Sequence, residues 1–165
     1  MLVPFSTLPQ DSRVWVYQSN REFTNVEVTQ ISEKIESFMA TWKRHGDDLR
    51  ASYIVKYNQF IILAIDESFN SVSGCSIDSS VHFINELEKE FGVDLMNKMN
   101  TAFKVGSTIN IVSLFDFQNF VKEEKISPET IVFNNMIQSK MDFETKWEVP
   151  AKESWHKRYF GTVIS

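Results

Sequence analysis

The residues of this chain best suited to chemistry lie in one stretch, from Asp66-Glu67-Ser68 to Asp78-Ser79-Ser80-Val81-His82. Two carboxylates close an apolar run, and Gly74-Cys75-Ser76 then stands at the entrance of an expected helix. Free N–H groups at a helix start attract anions, and the Ser76, Ser79 and Ser80 hydroxyls add donors. Asp66, Glu67, Gly74, Cys75, Ser76, Asp78, Ser79 and His82 therefore form the candidate ligand-binding set, with a small anion as the ligand. The same residues also admit a plainer reading. Ser76 or Asp78 then simply caps the helix, and Cys75 is a small buried hydrophobe.

Cys75, His82 and Asp66 are the candidates for catalysis, as a thiol nucleophile with its base or as a metal-assisted centre. A helix N-terminus favours a thiolate by about 0.3–1 kcal/mol. One carboxylate about 6 Å away, at an effective dielectric near 20, opposes it by roughly 2.8 kcal/mol. His82 stands two helical turns beyond Cys75, so a direct pair requires the loop to fold back. Asp78 and His82 are spaced i,i+4 and can share an ion with Cys75 or Asp66. The segment holds no second histidine, however, and His45 or His156 would have to arrive through the fold, so no metal is assigned.

Nucleotide hydrolysis of the P-loop type is excluded. That loop needs two glycines five apart followed by Lys and Ser or Thr, because backbone amides must wrap the phosphates. None of Gly46, Gly74, Gly92, Gly106 and Gly161 has that context, and neither G-x-G-x-x-G nor G-x-S-x-G occurs. No cofactor is expected.

Positioning these residues requires strands and helices, and the hydropathy pattern supplies them. Val14 to Tyr17 reads as a strand. Thr24 and Glu27 make a capping box, with Phe23 placed to staple onto Val28. Val28, Ile31, Ile35, Phe38 and Trp42 then form one apolar helical stripe, which His45 and Gly46 are expected to end. Residues 51–57 alternate as a half-covered strand, Asn58-Gln59 turns, and Phe60 to Ile65 is apolar throughout, as a strand covered on both faces must be. A loop over residues 68–76 leads to a second helix with Ile77, Val81, Ile84, Leu87 and Phe91 inward, ending at Gly92. Asp94 is placed to cap a short helix through Met99. Ile109 to Leu114 is a strand, Asp116 caps a helix, and Thr130 to Phe133 is a last strand.

In this order the chain reads as α+β: a ferredoxin-like βαββαβ antiparallel sheet with two main helices on one face, plus a C-terminal helix-strand extension. One domain over residues 1–165 is expected, its core about 12–115 and the extension about 116–165. In that sheet the first and third strands are neighbours. Arg21, which follows the first strand in Gln18-Ser19-Asn20-Arg21, is therefore expected to pair with Asp66 or face a shared ligand.

Composition narrows the partners. Seventeen Lys and Arg against 22 Asp and Glu give a net charge of −5, which disfavours a sequence-blind nucleic-acid surface. Trp147, Trp155 and Phe160 are accordingly expected to lock the C-terminal segment onto the core, leaving Lys157 and Arg158 in solvent, rather than to clamp an anion or stack on a base. The longest apolar run, Phe60 to Ile65, is far short of the roughly 20 residues of a spanning helix. With one cysteine and no apolar leader, a cytoplasmic protein without membrane contact is expected.

Three stretches are distinctive together: Arg13 to Arg21, Ser73-Gly74-Cys75-Ser76-Ile77-Asp78-Ser79-Ser80-Val81-His82-Phe83, and Trp147-Glu148-Val149-Pro150 to Arg158. They resemble a family of small Bacteroidetes proteins of unassigned activity that often carry the label "ABC transporter ATPase". The resemblance spans nearly the whole chain and brings no catalytic roles with it. An ABC ATPase requires a Walker A loop and a signature motif, and neither is present. The sequence thus points to a non-enzymatic module binding a small molecule or a protein, with a Cys/His-dependent enzyme at residues 66–82 as the alternative. A homo-oligomer is a further expectation, because 14 Phe make a sticky surface unless it is covered.

Overall fold

The structure is a computed structural model that describes residues 1–44, 46–68 and 72–161. The chain is α+β, with antiparallel sheets, and divides into two compact units: Met1–Met96 with Gln138–Met141, and Asn97–Ile137 with Asp142–Ser165.

In the first unit, β1 (Arg13–Gln18), β4 (Ala51–Lys56) and β5 (Phe60–Ile65) form a three-stranded sheet in the order β1-β5-β4. Every residue of β5 is buried, as its unbroken apolar run requires of a central strand. Ile61, Leu63 and Ile65 share a core with Ile31, Ile35 and Met39 of α1 (Asn25–Thr41) and Ile84 and Leu87 of α2 (Gly74–Phe91). Both helices therefore cover the same face of the sheet.

Both capping-box bonds are formed: Glu27 N–H donates to Thr24 Oγ1 at 3.1 Å, and Thr24 N–H donates to Glu27 Oε1 at 3.0 Å. The helix stops at Thr41, a turn earlier than the sequence suggests. Trp42 takes an extended ψ of 122°, buries its ring, and donates its indole N–H to Ser76 O at 2.9 Å. β2 (Lys43–Arg44) and β3 (Asp47–Asp48) then pair as a small hairpin. His45, the other expected terminator, lies outside the described residues.

The second long helix begins on Ser73, not on Ser76 or Asp78: Ser76 N–H donates to Ser73 Oγ at 3.1 Å. Its inner face is Ser76, Ser80, Ile84 and Leu87, and Val81, expected inward, is 37% exposed. The Trp42 bond to the Ser76 carbonyl turns that side of the first two turns toward the core. The helix ends at Gly92, whose φ of 62° is the left-handed conformation glycine adopts freely. No helix forms at 94–99, because the Glu88 carboxylate accepts the Leu95 and Met96 amides at 2.8 and 3.3 Å.

The second unit holds the sheet β7-β6-β8-β9, built from β6 (Asn100–Val105), β7 (Thr108–Ser113), β8 (Ile131–Phe133) and β9 (Glu148–Pro150). Its helices are α3 (Leu114–Lys122), capped by Ser113 rather than Asp116, and α4 (Lys140–Lys146) from Asp142 onward. The strand expected to complete the first sheet, Ile109 to Leu114, is thus β7 and pairs with β6, a strand that the hydropathy pattern does not predict. Gly106, at φ 62°, turns the chain directly from one to the other, and closing so short a loop is far easier than crossing to β1. The position beside β1 is taken instead by residues 138–140: Val14 N–H donates to Gln138 O at 3.1 Å and Lys140 N–H to Ser12 O at 2.9 Å.

Phe103, Phe117, Ile126, Val132, Ala151 and Phe160 make the core of this unit. Trp147 and Phe160 are buried while Lys157 and Arg158 are exposed, the arrangement expected of an anchored C-terminal segment. Among the described residues no helix is long and apolar enough to cross a membrane.

Candidate functional site

The polar groups of residues 66–82 are largely held by the chain itself. The Asp66 carboxylate accepts the Ser68 N–H at 2.8 Å and faces Arg50 Nε at 4.0 Å. Glu67 accepts the Val72 N–H at 2.9 Å; residues 69–71 lie outside the described residues. The serine hydroxyls offered as anion donors point to carbonyls instead. Ser76 Oγ donates to Lys43 O at 2.8 Å, Ser79 Oγ to Cys75 O at 2.9 Å and Ser80 Oγ to Ile77 O at 2.6 Å.

Gly74, Cys75, Asp78, Ser79 and His82 lie exposed on the outer side of α2, whereas Ser76 is buried. Cys75 and His82 stand about 10 Å apart along the helix axis. The His82 ring, 77% exposed, has its Nε2 3.0 Å from Glu86, its i+4 neighbour, rather than from Asp78. Among the described residues, no three His, Cys, Asp or Glu side chains converge as a metal site.

Arg21 does not meet Asp66. Strands β1 and β5 are adjacent but antiparallel, with Gln18 opposite Phe60 and Arg13 opposite Ile65, so Arg21 and Asp66 leave the sheet at opposite ends. Arg21 instead grips Glu27 with both guanidinium amines, each at 2.8 Å, and donates to Phe91 O at 2.8 Å. It ties the start of α1 to the end of α2. The guanidinium, followed by the Thr24 N–H, holds the Glu27 carboxyl down at a pKa of about 2.

What the first unit does present is a groove. The two long helices run antiparallel: Lys34 Nζ pairs with Glu90 at 2.9 Å, and the Phe38 and Phe83 rings stack at 4.5 Å between centroids, 4° from parallel. Between the helices, on their outer side, lies a groove of about 1070 Å³. Phe38, Phe83 and Phe91 line it with apolar surface over the buried Leu87, and Glu27, Gln30, Glu33, Lys34, Ser37, Glu86 and Glu90 supply its polar edges. No protein-family model, curated protein or solved structure matches this chain. Its chemistry is therefore read from its own side chains.

One of the two aromatic residues at the centre of the groove, Phe38, has the place its sequence pattern gives it, packed against the core and partly exposed, and Phe83 has no role in that pattern. Phe38 belongs to the apolar stripe of α1, where it reads as core. Phe83 lies off the stripe of α2, and that is the signal: an aromatic on a helix flank has to be covered by something or remain half-exposed. Here the two rings stack on each other and pack against the core, with both residues partly exposed.

Proposed function

We propose that this protein is a non-enzymatic interaction module whose binding surface is the groove between α1 and α2. The observation that carries the proposal is the stacked Phe38–Phe83 pair, partly exposed in a groove with polar edges. Aromatic side chains ringed by polar groups are enriched in protein-binding surfaces. The frame that presents it is, in this reading, a ferredoxin-like βαββα unit. The order β1-β5-β4 with both helices on one face supports that frame, and residues 138–140 take the place of its last strand. The reading departs from the ATPase label of the family the sequence resembles, and it replaces the anion pocket expected at residues 66–82.

The experiment is amide-resolved NMR of the isotope-labelled chain, titrated with a panel of short amphipathic and extended peptides of differing charge. Saturable shifts confined to residues 27–38 and 83–91, lost in Phe83→Ser, are the expected result. Shifts that fall elsewhere, or that survive Phe83→Ser unchanged, would refute the proposal.

A further inference from the structure

The two walls of the groove are the outer flanks of helices, whose backbone N–H and C=O groups are already paired within each helix. An extended peptide laid between them would find no backbone partners and would carry its own unpaired amides into an apolar floor, which is costly. A helix satisfies its own backbone and meets the groove with side chains alone. From Glu27 to Phe38 the groove runs about 16 Å, or about three helical turns, along α1.

The charge of the rim selects among helices. Four glutamates, Glu27, Glu33, Glu86 and Glu90, stand against one lysine, Lys34. Arg21 answers Glu27 from outside the groove, and Lys34 answers Glu90. Glu33 has no ion-pair partner among the described residues, and the contact of Glu86 is the exposed ring of His82. On the α1 wall an unpaired carboxylate therefore faces any occupant, and on the α2 wall Glu86 has only an exposed imidazole beside it, in a chain whose net charge is −5. Lysine and arginine suit such a rim doubly, because their stems lie along apolar surface while their charged heads reach the carboxylates.

We infer that the partner of the groove is a basic amphipathic helix, one that lays apolar residues spaced i, i+3, i+4 and i+7 on Phe38, Phe83 and Phe91 and sets Lys or Arg against Glu33 and Glu86. The inference rests on the reading of the groove as the binding surface, and it names the chemistry of what enters.

A charge swap tests it. A synthetic Leu/Lys amphipathic helix of about four turns and its Leu/Glu counterpart are titrated, by the same amide spectra, into the native chain and into Glu33→Lys/Glu86→Lys. Both substituted positions are exposed, so the variant keeps its fold, which circular dichroism checks. The native groove should bind the Lys peptide at least about tenfold more tightly than the Glu peptide, and the variant should reverse that preference. The native preference should shrink as salt rises from about 0.1 M to about 1 M, where the screening length falls to about 3 Å. Equal binding of the two peptides in the groove would overturn the partner's chemistry and leave the groove standing. Binding of the Lys peptide that Phe83→Ser does not weaken would overturn both.

Discussion

Arg21 distinguishes a ligand-binding residue from a structural clip, and a double-mutant cycle with Glu27 decides between them. The bidentate pair, at 2.8 Å for each bond, is partly exposed, with side chains 42% and 19% accessible. Exposed pairs are worth about 0.2–1 kcal/mol, and fork-on-carboxylate geometry belongs at the upper end, so a coupling of about 1 kcal/mol is expected. The single substitution Arg21→Met should cost more than this coupling. It also removes the bond to Phe91 O, a cation at a helix C-terminus worth a further 0.3–1 kcal/mol or so. Glu27→Gln leaves that second bond in place, so the cycle Arg21→Met/Glu27→Gln isolates the pair itself.

The pH dependence has a definite sign. Glu27 titrates at about 2 in the folded chain and at its ordinary 4.5 when unfolded. A depressed carboxyl stabilises the fold fully above pH 4.5 and loses that contribution as pH falls toward 2. Urea unfolding of the four proteins at pH 7 should therefore give the full coupling, and the same cycle near pH 3 a clearly smaller one. A coupling below about 0.2 kcal/mol at pH 7, or one that stays constant down to pH 3, would refute the clip.

Two further outcomes follow from the same structure. Trp42→Phe removes the indole donor to Ser76 O within a packed site, so it should cost about 1–2 kcal/mol and lower Tm by roughly 2–4 °C per kcal/mol; an unchanged Tm would show that this bond does not fix the start of α2. His156 is buried, with its Nδ1 2.8 Å from Ser154 Oγ, and burial, then Arg158, pushes its pKa down to about 4. The unfolded chain takes up the proton first, so stability should fall as pH drops from 6.5 toward 4, and His156→Gln should flatten that part of the urea-midpoint profile; an identical slope in the variant would refute the assignment.

Local order was legible where one or two neighbouring residues decide it. The Thr24–Glu27 box, the Gly92 stop and the covered strand Phe60–Ile65 all formed as their patterns require. The end of α1 was not legible, because Trp42 leaves the helix for a partner 34 residues away. The strand Asn100–Val105 escaped notice for a different reason. Its Asn-Thr-Ala-Phe-Lys-Val run carries no clean alternation, and it becomes a strand by pairing with β7 across the Gly106 turn. Once that hairpin exists, β7 has a near partner and the first sheet closes with three strands.

The candidate site failed in a way that separates adjacency from proximity. Placing β1 beside β5 was correct, yet it carried Arg21 away from Asp66, because neighbours in an antiparallel sheet send their C-terminal ends in opposite directions. The serines of α2 failed on a second count. A hydroxyl on a helix has a carbonyl three or four residues back within reach, and Ser79 and Ser80 both take it. Donors counted along a sequence are thus available to a ligand only after the backbone's own acceptors have been served. Apolar side chains have no such internal claim on them, and an aromatic left half-covered between two helices therefore says more about binding than three serines at a helix start.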